Sequence, residues 1–201
     1  MGSKLYGMTY TGGSGGIDGG GSGNGVIFKI NMDGTRYKVL HHFGGYPTDG
    51  AHPYGSLTLV GSKLYGMTAE GGPLGGGVIF SINLDGGGYQ ILFDLHSVSL
   101  AGPRGSLTPW GGRLYGMARW GGVGGGNGGI FRINPDGTGC QVLHIFKADQ
   151  GDGGDPLGDV TFAGSRLFGW TYGDGAYNCG VFFSLQTPQP DAAIMQLLLL
   201  D

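Results

Sequence analysis

Aspartates and histidines stand together at two places in the chain, and their types could support acid–base or metal chemistry. Asp49 lies near His52, Asp152 lies near Asp155, and His96 falls between the two groups. Paired carboxylates serve glycoside hydrolysis as acid and base, and carboxylate with imidazole suits a divalent metal. The same residues also begin turns. Asp49 precedes Pro53, Asp152 precedes Pro156, and Ser99 replaces the aspartate at the matching place in a related stretch. Turn initiation is the better-supported role, so no catalytic residue and no metal ligand is assigned. His41 and His42 are adjacent on a strand pattern and point to opposite faces; His144 occupies the place of His41, and packing is expected of both. The segment Gly12-Gly13-Ser14-Gly15-Gly16 has the spacing of a nucleophile elbow, but no helix follows to make the strained turn. Gly124 to Gly129 fits a dinucleotide fingerprint, yet it leads into a strand and offers no helix N-terminus to a pyrophosphate. Walker-type phosphate loops and HExxH are absent. No cofactor is expected.

A second group of residues is suited to binding. Trp120, Arg119, Tyr172, Tyr177, Tyr10, Arg104 and His52 combine flat rings with guanidinium and imidazole groups. Ring faces stack on apolar surfaces of sugars or peptides while polar groups fix orientation. Arg119-Trp120 replaces Ala69-Glu70 at one repeat position, and an exposed tryptophan is costly to keep without a contact. These are the candidate ligand-binding residues. Trp110 and Trp170 sit on or beside strands and are expected in the core, as are Met8, Met67 and Met117, which recur at one strand position.

The elements that position these residues are repeats. Leu5-Tyr6-Gly7-Met8-Thr9 recurs unchanged from Leu64, with Ala118 for the threonine from Leu114, and as Leu167-Phe168-Gly169-Trp170-Thr171, at steps of 59, 50 and 53 residues. A second landmark ending at Phe28, Phe80, Phe131 and Phe183 steps by 52, 51 and 52. A longer loop between Gly15 and Asn24 accounts for the first step. Within a repeat, four strands follow in order: A (Gly55 to Val60), B (Lys63 to Thr68), C (Val78 to Asn83) and D (Tyr89 to Leu95). Asn-x-Asp-Gly turns join C to D, as at Asn31 to Gly34 and Asn134 to Gly137. Alternation sends the long B-to-C and D-to-A connections to one face, where binding residues belong. A repeat of this length and strand count predicts an all-β propeller of about four repeats, with one blade lacking a strand because none precedes Lys4 and none follows Leu200. One domain over 1–201 is expected, with repeats at about 2–60, 61–110, 111–163 and 164–201.

Composition narrows the function classes. Glycine supplies 49 of 201 residues, and no glycine-free 11-residue window carries a helical apolar period, so a helix-rich enzyme is excluded. Charged residues make up 12%, the net charge is −3, and no basic stripe is present, which excludes nucleic acid as a partner. The apolar run Ala192 to Leu200 is too short to span a bilayer; it is expected to be the last D strand, and no membrane partner is expected. Two cysteines, Cys140 and Cys179, fall in neighbouring repeats without implying a disulfide.

The pattern Leu-Tyr-Gly-Met-Thr, paired glycines, Val-Ile-Phe, an Asp-Gly turn, an apolar strand and Asp-Gly-x-x-Pro resembles the GloVer tandem repeat of bacterial, mostly exported proteins. The resemblance covers nearly the whole chain, is strongest from Leu64 to Phe80 and from Asp49 to Pro53, and weakens at Arg119-Trp120 and in the fourth repeat. In strand order the unit is also similar to a kelch blade. The resemblance implies a secreted or cell-surface protein, although Met1-Gly2-Ser3-Lys4 runs straight into a strand without a leader pattern. The resulting expectation is a non-catalytic binding propeller for a glycan or protein ligand. The alternatives are a carbohydrate-active hydrolase or lyase, and a structural module in which copies associate to complete a larger ring.

Overall fold

Each Leu-Tyr-Gly-Met-Thr motif lies in an antiparallel meander, where successive residues face opposite sides of the sheet and both sides can bury apolar groups. The computed structural model describes residues 4–14, 23–122, 126–147 and 151–187, whose regular secondary structure is β apart from one 3-10 turn at Leu95–Val98. The first sheet holds β1 (Lys4–Thr9), β2 (Val26–Asn31) and β3 (Lys38–His42). The short β4 (Gly50–Ala51) leads to β5 (Thr58–Val60) and β6 (Lys63–Met67). After them come the short β7 (Glu70–Gly71), then β8 (Val78–Asn83) and β9 (Gln90–Asp94). The third unit repeats this plan with β10 (Leu100–Ala101), β11 (Thr108–Trp110), β12 (Arg113–Ala118), β13 (Trp120–Gly121), β14 (Gly129–Ile133) and β15 (Gln141–Ile145). The fourth contains β16 (Gly154–Pro156), β17 (Thr161–Ala163), β18 (Arg166–Gly173) and β19 (Phe182–Gln186).

The second and third sheets run β5-β6-β8-β9 and β11-β12-β14-β15, the expected meander. Among the described residues the first sheet holds three strands, in the order β1-β2-β3. The strand expected at Ala192 to Leu200 lies outside the described residues, as do parts of the glycine segments 12–16 and 124–129. No helix among the described residues is long and apolar enough to cross a membrane.

Apolar side chains fill the space between successive sheets in one recurring arrangement. The side bearing Tyr6, Met8 and Ile27 meets the side of the next sheet bearing Leu64, Phe80 and Ile82. Tyr65, Met67 and Ile79 meet Leu114, Phe131 and Ile133 in the same way, and Tyr115, Met117 and Ile130 meet Leu167, Phe183 and Leu185. The glycine of the motif follows from this packing. The Phe131 ring lies over Gly116, where a Cβ would come within 2.7 Å of it.

The innermost strands are also tied to one another. Thr58 Oγ1 donates to the Leu107 carbonyl at 2.6 Å, and Thr108 Oγ1 to that of Val160 at 2.8 Å. Trp110 packs as anticipated, stacked on Phe162 at 4.7 Å. Trp170 does not: it is 62% exposed, because no further sheet among the described residues covers its side of β18.

The long connections do share a face. β4 pairs with β7, β10 with β13, and β16 with the end of β18, so each D-to-A segment is joined to the B-to-C loop of the following unit. These ladders of two or three residues carry no period that sequence could reveal.

Candidate functional site

In the first, second and fourth units the motif threonine closes the mouth of the long loop; the third unit has Ala118 at that place. Thr9, Thr68 and Thr171 hydroxyls accept the N–H of Val26, Val78 and Val181 at 3.2, 3.2 and 2.9 Å. Each also donates to a carbonyl two residues on, those of Thr11, Glu70 and Gly173. The incoming D-to-A segment is clamped between two such loops: His52 N–H donates to the Asn24 carbonyl at 2.9 Å, and Ala69 N–H to that of His52 at 3.1 Å. Backbone contacts therefore fix where the side chains of this face project.

Five of the candidate residues, joined by Tyr54, form one continuous row. The Tyr10 ring stacks on His52 at 4.7 Å and meets Tyr54 edge-on at 5.2 Å. The Arg104 guanidinium lies over Tyr54 at 4.7 Å and over Trp120 at 5.4 Å, and Arg119 covers Trp120 at 4.9 Å. His52 Nδ1 lies 3.2 Å from Glu70 Oε2, and Arg119 Nη2 donates to Asp155 Oδ2 at 3.2 Å. Tyr10, Tyr54 and Trp120 remain 45%, 52% and 42% exposed. Cation–π contact of this kind holds rings and cations in fixed orientation without hiding the rings. Tyr172, at the end of β18 rather than in a loop, and Tyr177, in the turn that follows, are exposed on the fourth unit and make no ring contact with the row among the described residues.

The four groups considered for hydrolysis are held by different partners. Asp49 turns inward: its Oδ2 lies 2.8 Å from His41 Nε2 and accepts the Gly44 N–H at 2.8 Å, and its Oδ1 accepts the Tyr89 hydroxyl at 2.5 Å. The His41 ring stacks on Tyr89 at 3.6 Å. Burial opposes charge on Asp49, but the bonds from His41, Tyr89 and Gly44 outweigh it and hold its pKa below the ordinary value. Asp152 repeats the histidine contact, 2.8 Å from His144 Nε2, beside a cleft of about 590 Å³ lined by Val142, Ile145 and Lys147. Asp155 binds Arg119, and His52 binds Glu70. The Asn-x-Asp-Gly turns are geometric: the Thr35 hydroxyl and backbone bond to Asp33, those of Thr138 bond to Asp136, and both carboxyls are held below their ordinary pKa.

The cysteines are unpaired, Cys140 half-buried and Cys179 exposed. Burial pushes the Cys140 thiol up to about 11, so it stays protonated and slow to react at neutral pH. A thiol-specific disulfide reagent is expected to label Cys179 rapidly in the native protein and Cys140 only on unfolding; prompt labelling of both thiols would contradict this placement.

The successive packed sheets define the class as a β-propeller-like repeat protein. The chain superposes on a crystal structure of a nidogen/laminin complex with a TM-score of 0.56 at 22% identity, covering 84% of this chain and 55% of that one. It superposes on TolB from Acinetobacter baumannii with a TM-score of 0.53 at 11% identity, covering 94% of this chain and 40% of that one. The chain thus spans about half or less of each of these structures, and the likeness is one of fold. By its sequence, matched over residues 2–183, it belongs to the Gloeobacter/Verrucomicrobia repeat family. No curated protein matches it.

Proposed function

We propose that the protein is a non-catalytic binding module whose ligand, a glycan or a protein segment, lies along the row from Tyr10 to Arg119. Each repeat then acts as one propeller blade, four in this chain within a single domain, and the long-loop face is the binding face. The observation that carries the reading is the alternation of exposed rings and guanidinium groups through Tyr10, His52, Tyr54, Arg104, Trp120 and Arg119. Such a row offers apolar planes for stacking with guanidinium donors beside them, which favours the glycan over the protein segment. Hydrolysis has less to build on, because Asp49, His52, Asp152 and Asp155 are each engaged by a separate partner.

Binding to immobilised glycans, with a protein pull-down in parallel, tests the reading. Trp120→Ala is expected to weaken binding at least about tenfold, the loss typical of an aromatic anchor, while Tyr177→Ala leaves it unchanged. Equal affinity of Trp120→Ala and wild type, or no ligand at all at millimolar concentration, would remove the proposal.

A further inference from the structure

Among the described residues, the first and fourth sheets each have one apolar face against which no further sheet packs, and these faces are the two halves of the contact repeated between neighbouring sheets. On the fourth sheet, Phe168, Trp170 and Phe182 stand where Tyr65, Met67 and Ile79 stand on the second, as the pairings Phe168 with Ser184 and Trp170 with Phe182 show. On the first sheet, Leu5, Phe28 and Ile30 stand where Leu64, Phe80 and Ile82 stand on the second, with Leu5 opposite Ile30 and Gly7 opposite Phe28. Leu64, Phe80 and Ile82 are at most 3% exposed, whereas Leu5 is 54%, Trp170 62% and Phe182 63% exposed. Among the described residues, β1–β3 and β17–β19 share no hydrogen bond, ion pair or ring contact with one another.

We propose that the face of Phe168, Trp170 and Phe182 docks on the face of Leu5, Phe28 and Ile30 of a second copy of this chain. The partner is identified by its fit. One copy carries both halves of a contact that the chain already builds within itself between successive sheets. The pairing is head to tail, and two such contacts related by a twofold axis close a pair of chains into one ring. The exposed rings of Trp170 and Phe182 lie 5.6 Å apart, an adjacent pair of the kind that marks an interaction surface. The association is separate from ligand binding, since none of these six residues belongs to the row on the loop face.

Sedimentation velocity on the full chain tests the proposal. Wild type is expected at twice the 20.7 kDa chain mass, and Trp170→Glu and Leu5→Glu each at the single-chain mass with unchanged β circular dichroism. Phe182→Ser, a milder change on the same face, is expected to weaken the pair. Mixing Trp170→Glu with Leu5→Glu is expected to restore association in part, because each variant keeps the face the other lacks. Wild type at the single-chain mass, whether residues 188–201 or nothing at all covers Trp170, would overturn the proposal. So would a pair that survives both glutamate substitutions, or a mixture that stays monomeric.

Discussion

Asp49→Ala is expected to lower the unfolding free energy by about 3 kcal/mol, the usual cost of removing one member of a buried hydrogen-bonded cluster. The carboxylate accepts the Tyr89 hydroxyl and the Gly44 N–H and lies against His41, so it joins the first sheet to the second. Its side chain is only 13% exposed, and truncation would strand the Tyr89 hydroxyl rather than return it to water. Urea unfolding of wild type and variant measures the difference; a loss below about 1 kcal/mol, the worth of an ordinary surface contact, would show that the cluster is not a brace. The cluster also sets a pH dependence. The folded pKa of Asp49 lies below its ordinary 3.8, so its contribution is present above that value and disappears as pH falls through the lower folded one. Tyr89 is shifted in the other direction: burial, then the bond and charge of Asp49, raise its pKa well above 10.0. Its contribution is present below 10.0 and is lost as pH rises beyond it. Tyr65, raised by burial and by the charge of Asp136, adds to the alkaline loss. Tyr89→Phe is expected to reduce that alkaline fall, and an identical high-pH limb in the variant would argue against the assignment.

Gly105→Ala is expected to cost about 3 kcal/mol or more, at the upper end of overpacking effects. A Cβ at Gly105 would run into the Gly158 carbonyl and approach Asp159 Oδ1 to 2.9 Å, and one at Gly55 would run into the Gly105 carbonyl. These are main-chain obstacles, which no side-chain rotamer can relieve. The same spot is held by the Ser56 N–H donating to Ser106 Oγ at 2.9 Å and the Ser106 N–H donating to Asp159 Oδ1 at 2.5 Å. Gly61→Ala is the matched control: it has positive φ, 60°, but open space around the new methyl, so it loses only about 1 kcal/mol of left-handed strain. Comparable midpoints for the two variants in thermal unfolding would show that the inner strands can separate to admit a methyl group.

The repeat step, the meander and the loop face were legible because they are local. The B and C strands fall within a residue of their sequence-based limits, at Lys63–Met67 and Val78–Asn83. Trp120 and Arg119 stood out because they broke a repeat, and the row they complete with Tyr10, His52, Tyr54 and Arg104 is a property of several loops together. What escaped the sequence depends on distant partners. Asp49 looked like a turn residue, yet its shortest bond is to a tyrosine 40 residues away. Trp170 looked like core because it sits on a strand, but burial there requires a following sheet, which no local pattern encodes. The two-residue ladders of Gly50–Ala51 with Glu70–Gly71 and of Leu100–Ala101 with Trp120–Gly121 are too brief to show alternation.

The uniform contact between sheets has an evolutionary consequence. A gene segment encoding one unit, duplicated in frame anywhere along the row, would arrive with a compatible neighbour already waiting on either flank, and its deletion would let the remaining units rejoin. Growth and shrinkage by recombination are therefore tolerated without new core design, and selection can act on loop sequences while the number of units drifts.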